Sequence, residues 1–373
     1  MKVRRWIAAL ILFAAGCALP ASCSQGNPAA IAEAAPTSSC TPRTAGDVYG
    51  MLEGKNDQTW SGGDQGASYR ARNGAVYWLW GDTALGAEDQ LTGAYEPGWR
   101  MVSNTILVQR GCGLARATNT ENTETAVPDT ASGERYWAQD AFETGDGYLY
   151  VSLQRVRNLD GGGFKPVGTE IARFSMGYGD QLTLVDKLAT PTTGPEDTDV
   201  QWGGSVVVAG GNAYVFGYRW VPNPFAPHQT FVARVAATSV ATVSAWRFWN
   251  GSSWAADKTT ATPILETQMS SAAIIGGRWV LLHKPWGSSD VRAEIGASAH
   301  GPYTTRVLFS SPGGVDGNGR RYVTYCPQLH TALPMASGKV LVALSRAATD
   351  GLGVMAQDAD MYKLAPLVEL RLP

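Results

Sequence analysis

Two aspartates, Asp64 and Asp82, bracket a stretch that reads as one β-hairpin, and they are the residues of this chain best placed to do chemistry. Residues 60–86 run W-S-G-G-D-Q-G-A-S-Y-R-A-R-N-G-A-V-Y-W-L-W-G-D-T-A-L-G. Two extended segments, 66–72 and 75–81, flank Asn73-Gly74, the dipeptide that most favours a type I′ turn. A two-residue turn there brings Asp64 within one position of facing Asp82. Cross-strand neighbours of that kind lie roughly 5 to 8 Å apart, a spacing at which paired carboxyl groups act on a glycosidic bond. One group must hold a proton for the leaving oxygen while the other is ionised as base or nucleophile, so their pKa values must be pushed apart. The same residues admit a structural use, with Asp64 capping a turn and Asp82 closing an Asx-turn over Thr83 and Ala84.

The elements that must hold this pair are strands. From residue 47 onward, short Val, Tyr, Trp and Leu runs alternate with Gly-rich turns, and no long stretch has helical periodicity with caps. The fold class expected is all-β. The opening hairpin recurs in degraded form at 137–154 around Gly145-Asp146-Gly147, and at 202–219 around Gly210-Gly211-Asn212. It recurs again at 269–284 around Gly276-Gly277 and at 325–344 around Ser337-Gly338-Lys339. Five such hairpins, each with room for two further strands, predict a five-bladed β-propeller of four-stranded blades, with a large β-sandwich as the competing architecture. In a propeller the starts of the innermost strands open on one funnel. That would gather further candidates around the aspartates: Asp140 as a third acid, and Asn104, Trp137, Trp202, Tyr325, Gln328 and His330 as substrate-binding residues. Glu294 and Arg234 are more distant rim candidates. Each has a plain alternative: a turn aspartate, an Asn satisfying backbone, core tryptophans, a hydrogen-bonded structural histidine.

Composition agrees with a many-turned β protein. The 373 residues include Gly 43, Pro 20 and Trp 13, and only 17% are charged, against about 25% in an average soluble protein. A net charge of −2 gives no reason to expect nucleic acid or an anionic membrane surface as partner; a neutral polysaccharide fits better, bound by a monomer. Residues 1–23 have the basic start and short apolar run of an export signal. Ala14-Ala15-Gly16-Cys17 resembles a lipoprotein processing box, so the mature protein is expected to be secreted, or held at the outer surface by a lipid on Cys17, its only membrane attachment. Residues 24–46 are rich in Ala, Pro, Ser and Thr and read as a tether to a domain at 47–373. Export permits disulfides; Cys40 and Cys112 are the preferred pair, leaving Cys326, with unpaired buried cysteines as the alternative. No cysteine has metal-site spacing, no Rossmann fingerprint or G-x-S-x-G elbow occurs, and no cofactor is expected, though a calcium ion in the channel is compatible with the sequence.

Several segments, in order, resemble one family: W-S-G-G-D-Q-G at 60–66, W-L-W-G-D-T-A-L-G at 78–86, S-N-T-I-L-V at 103–108, W-G-G-S-V at 202–206, V-A-R-V at 232–235, S-A-W-R-F-W-N-G at 244–251, G-P-Y at 301–303 and Y-C-P-Q-L-H at 325–330. Together they are similar to a group of exported actinobacterial proteins, formerly a domain of unknown function and now regarded as endo-D-arabinanases on a five-bladed propeller. The resemblance spans most of residues 47–373. It implies cleavage within the α-linked D-arabinofuranose chains of mycobacterial arabinogalactan and lipoarabinomannan, with Asp64 and Asp82 as the matching carboxylates. The Q-D-A run around Asp140 departs from the family's second blade and leaves that residue's role open. A propeller hydrolase on another glycan, and a cell-wall glycan-binding propeller without turnover, are the competing functions.

Overall fold

A computed structural model describes residues 40–54, 60–89, 91–117, 124–160, 163–221, 228–316, 319–349 and 352–373; the export signal, Cys17 and most of the expected tether lie outside them. The chain begins there with a helix, α1 (Ala45–Glu53), which the absence of long periodicity hid. Only Val48 and Leu52 are buried along it, one pair four residues apart. Its stability comes from its cap and its docking instead: Thr44 accepts from Asp47 N while the Asp47 carboxylate accepts from Arg43 N and Thr44 N.

Everything else of size is antiparallel sheet. Strands β1 (Gly62–Gly63), β2 (Ala67–Arg70), β3 (Val76–Trp80), β4 (Thr83–Leu85), β5 (Arg100–Val102), β6 (Thr105–Arg110) and β7 (Gly113–Arg116) form two sheets, ordered β2-β3-β6-β7 and β1-β4-β5. Next come β8 (Arg135–Phe142), β9 (Tyr148–Asn158), β10 (Phe164–Met176) and β11 (Leu182–Ala189), adjacent in sequence order. A third region pairs β12 (Gln201–Ala209), β13 (Asn212–Arg219), β14 (Gln229–Ala236), β15 (Arg247–Trp249) and β16 (Trp254–Ala255) in the same manner. It is followed by β17 (Ser271–Ile275), β18 (Arg278–His283), β19 (Asp290–Gly296) and β20 (Tyr303–Ser310). The last sheet contains β21 (Gly314–Val315), β22 (Arg321–His330), β23 (Val340–Ala348) and β24 (Leu364–Leu370). The fold is all-β and propeller-like.

The core lies between neighbouring sheets, as it must when each sheet packs on the next. Tyr77, Leu79 and Ile106 of the first sheet meet Ala138, Leu149 and Val151 of the second, and Ile171 and Tyr150 meet Trp202, Val215 and Phe231. Phe216 and Val232 meet Trp279 and Leu281, and Val280 and Leu282 meet Val342 and Leu344. The circuit closes where Leu341 and Ala343 share a core with Trp78, Trp80 and the helix residues Val48 and Leu52.

A belt of hydrogen bonds follows the same circuit through the innermost strands. Arg72 N donates to Glu143 Oε2 at 2.9 Å, Ser205 Oγ and Val206 N donate to Asp140 Oδ2 at 2.7 and 2.8 Å, and Ala272 N donates to Ser205 Oγ at 3.1 Å. Leu329 N donates to Ser271 Oγ at 3.1 Å, and Ser68 Oγ pairs with His330 Nδ1 at 2.9 Å. The strands enclose a cavity of about 300 Å³ bordered by Ser68, Asp140, Val206, Ser271 and Gln328.

At the closure, Glu369 accepts from Ala45 N at 2.7 Å, which docks α1 on β24. Cys40, just before the helix, is disulfide-bonded to Cys112 in the β6–β7 turn, with Cα atoms 5.5 Å apart.

Candidate active site

The first hairpin is registered so that Ala67 faces Leu79, Ser68 faces Trp78 and, beyond an interruption, Gly63 faces Thr83. That register centres on Asn73 and puts Asp64 squarely opposite Asp82. The expected two-residue type I′ turn gives way to a three-residue turn, Arg72-Asn73-Gly74, closed by Ala71 N to Ala75 O at 3.0 Å and Gly74 N to Ala71 O at 3.0 Å. The reason is local: only Gly74 takes a positive φ (83°), while the Asn73 carboxamide accepts from Ala75 N at 3.0 Å, as an Asx-turn does. Type I′ turns appear instead at Gly210-Gly211 and Gly276-Gly277, where both central residues have positive φ.

Between β1 and β2 the backbone leaves the extended conformation at Gln65 (φ 67°) and Gly66 (φ 62°). Gln65 is held there by its N–H, which donates to Ser345 Oγ at 2.8 Å. The kink frees Asp64 from the ladder without unpairing its backbone: Asp64 N donates to Asp82 O and Gly81 N to Asp64 O, each at 3.1 Å. Gly81 is required on the other side, because a Cβ there would stand 2.4 Å from Asp64 Oδ1.

The two carboxyl groups then face different surroundings. Asp64 Oδ1 is shut off from solvent with no hydrogen-bond partner among the described residues, and Oδ2 has only the Tyr325 hydroxyl, at 3.5 Å. Burial, then the neighbouring Asp82 charge, pushes Asp64 well above the usual carboxylate range. Asp82 Oδ1 accepts the Trp137 indole N–H at 2.8 Å and has Arg135 Nη1 at 3.4 Å. Burial raises Asp82 too, but Arg135 and Trp137 pull against it and favour the ionised form. Its carbonyl accepts the Tyr362 hydroxyl at 2.7 Å, which fixes the backbone beneath it. The arrangement sets one carboxyl biased strongly toward its protonated form beside one whose ionised form has a cation and a donor to support it, the asymmetry that acid and base chemistry on a neutral substrate uses.

The sequence profile of the domain of unknown function DUF5005 matches residues 52–364. The chain belongs to the DUF5005 family. This DUF5005 protein also superposes on a "putative hydrolase" from Bacteroides ovatus ATCC 8483 with a TM-score of 0.69 over 88% of this chain and 91% of that one, at 17% identity. They share a fold. A GH43_1 enzyme from Xanthomonas citri complexed with xylotriose (TM-score 0.48, 13% identity, 88% of this chain and 94% of that one) and RS223-β-xylosidase (0.48, 12%, 84% and 93%) are more distantly similar. No curated protein matches the sequence significantly.

Of the residues singled out in sequence, the DUF5005 fold brings Trp137 and Tyr325 to the aspartate pair. The Trp137 ring also meets the edge of Phe164, with centroids 4.3 Å apart. Gln328 borders the central cavity, its amide N–H reaching Ser270 O at 3.4 Å. Asp140 borders it too, but its carboxylate accepts from Ser205, Val206 N and Ala141 N and joins two innermost strands; burial pushes it up to about 6 against those bonds. His330 is buried, paired with Ser68, and has its ring 5.0 Å from that of Trp78; burial pushes it down to about 3, so it is neutral. Asn104 donates to Val127 O and Tyr136 O, both at 2.9 Å, and accepts from Val127 N at 2.8 Å, which leaves no free amide group for a sugar. Trp202 is 1% exposed and packs on Phe248 in the core. Glu294 pairs with the buried His283 at 2.9 Å, and Arg234 lies over the Trp254 ring.

Arg135, Tyr362, Gln65 and Gly81 were not foreseen. Arg135 was discoverable, since two residues before Trp137 on one strand puts both side chains on the same face. Cys326 (φ 45°) lies in the bulge between Tyr325 and Gln328, and burial, then the Asp64 charge, raises its thiol to about 12. Among the described residues three carboxylates, Glu53, Glu88 and Asp360, lie close enough together to share a cation. The Lys363 ammonium stands among them at 2.9, 3.0 and 3.1 Å.

Proposed function

We propose that this protein is an exported glycoside hydrolase, an endo-D-arabinofuranosidase acting within the α-D-arabinofuranosyl chains of arabinogalactan and lipoarabinomannan. The observation that carries the hydrolase reading is the asymmetry of the opposed pair. Asp64, buried and nearly unpartnered, is the general acid; Asp82, supported by Trp137 and Arg135, is the base or nucleophile. Tyr325 and Trp137 border the scissile sugar, and Gln328 and Asp140 lie on the cavity side. The sugar itself comes from the resemblance of the 60–66 and 78–86 segments to endo-D-arabinanases. The circuit of sheets is read as five blades of a propeller, each starting at the innermost strands β2, β8, β12, β17 and β22, with the small β1-β4-β5 sheet as an outgrowth of the first. In this reading the protein is a monomer, either secreted or lipidated on Cys17, and it needs no cofactor.

The test is incubation of the purified chain with mycobacterial arabinogalactan and chromatography of the products. Oligoarabinosides are expected from the wild type. Asp64→Asn and Asp82→Asn should each lose at least about 100-fold in rate, the usual scale of a positioned acid or base. No product from the wild type, or full activity in both variants, refutes the proposal. Retained binding with no turnover would instead identify a glycan-binding propeller.

A further inference from the structure

Trp286 is the only tryptophan among the described residues that is fully exposed, at 93%. An indole left in water forfeits one of the largest burial gains any side chain offers. Its backbone is not loose. Pro285 to Ser288 form a turn closed by Ser288 N to Pro285 O at 3.0 Å, with Gly287 at φ 74° in the third position, a type II turn that presents Trp286 at its tip. The base of the turn is pinned by Asp290 N to Ser288 Oγ at 3.0 Å and Ser311 N to Ser289 O at 2.7 Å.

The loop opens on the same rim as the aspartates. Tyr325 reaches Asp64, Gln328 of the same strand reaches Ser270 O, and Ser270 N donates to Leu282 O at 2.8 Å, one residue before β18 ends and the chain enters the turn. At the opposite end of the sheets, the hairpin turns of β2-β3 and β8-β9 meet where Arg72 N binds Glu143. Residues 284–289 around the indole are Lys284, Pro285, Trp286, Gly287, Ser288 and Ser289, polar or small and with no apolar continuation. Lys284 is part-buried with no ion-pair partner among the described residues, leaving its ammonium free to donate to a hydroxyl. A flat apolar face on a turn whose neighbours in sequence carry hydrogen-bonding groups suits a sugar ring better than a protein side-chain cluster.

We propose that Trp286 is a stacking platform for a sugar residue of the polysaccharide chain beyond the cleavage point, with Lys284 as a hydroxyl-binding neighbour. The platform rests on the glycan-hydrolase reading and extends it to a remote subsite, the kind of contact that lets an enzyme hold a polymer rather than a short fragment.

The experiment uses the full chain carrying Asp82→Asn, with and without Trp286→Ala, in native gels containing soluble arabinogalactan and in fluorescence titrations with the same polymer. Expected results are retardation and a blue shift of emission for Asp82→Asn, with affinity about 3- to 10-fold lower and the shift abolished when Trp286 is also removed. Equal affinity in the two chains overturns the proposal, as does no retardation of either. Trp286-dependent pelleting with phosphatidylglycerol vesicles, with polymer binding unaffected, also overturns it and makes the loop a membrane contact. If the wild type releases no oligoarabinosides yet Trp286-dependent retardation persists, the hydrolase reading falls while the platform stands.

Discussion

The indole of Trp137 is the group whose removal most directly tests the assignment of roles. Trp137→Phe keeps an aromatic ring against Phe164 and deletes one donor, the N–H that reaches Asp82 Oδ1 at 2.8 Å. A hydrogen bond to a charged group contributes about 1.5 to 3 kcal/mol, which converts to about 1 to 2 pKa units. The Asp82 side chain is 23% exposed and Arg135 remains at 3.4 Å, so solvent and the guanidinium make up part of the loss and the lower end, about one unit, is expected. The sign follows from the state the bond favours: the N–H stabilises ionised Asp82, so without it Asp82 holds its proton to higher pH. The acid limb of kcat/KM should therefore move up by about one unit, while the alkaline limb, set by Asp64 with Asp82 already ionised, should stay in place. The assay is release of reducing ends from arabinogalactan across pH 3 to 9. An acid limb that stays put while activity falls equally at every pH would refute the idea that Trp137 supports the Asp82 charge.

Three further outcomes follow from the same geometry. Gly81→Ala places a Cβ 2.4 Å from Asp64 Oδ1, so it should cost about 100-fold in kcat/KM with an unchanged circular dichroism spectrum, since a misplacement of about 1 Å suffices. Asp64 has its folded pKa raised, so its contribution to stability is present below the ordinary carboxylate pKa and is lost as pH rises through the raised value. Asp64→Asn, which copies the neutral acid, should therefore melt at a higher temperature than the wild type at pH 8, and calorimetry showing a lower one would contradict this. Asp140 obeys the same sign between its ordinary value of 3.8 and about 6, so the wild type should lose on the order of 3 kcal/mol of stability from this group across that window. Asp140→Asn should flatten that part of the curve in urea titrations at successive pH values.

Much of the fold was legible because turns announce themselves. The hairpin turns expected at Gly145-Asp146-Gly147, Gly210-Gly211 and Gly276-Gly277 all lie between the first and second strands of a sheet, where positive φ demands glycine. The helix was not legible, since a nine-residue element with two buried side chains leaves almost no period to read. The roles of Asn104 and Trp202 could not be settled from type and spacing, because whether an amide is spent on Val127 and Tyr136, or a ring lies against Phe248, depends on which strands become neighbours across sheets.

The opposed aspartates show where sequence reasoning reaches and where it stops. Pairing register alone sets them face to face, and the three-residue turn makes the match closer than a two-residue turn would. Register says nothing about how their pKa values separate. That separation comes from groups far away in sequence: Arg135 and Trp137 of the second sheet favour the ionised form of Asp82, while Asp64, met only by the Tyr325 hydroxyl of the last sheet, is raised by its burial. The hairpin cannot keep one acid protonated and the other charged by itself. The closing of the sheet circuit brings the last sheet against the first, so the ring that gives the fold its stability also divides the proton between the two carboxylates.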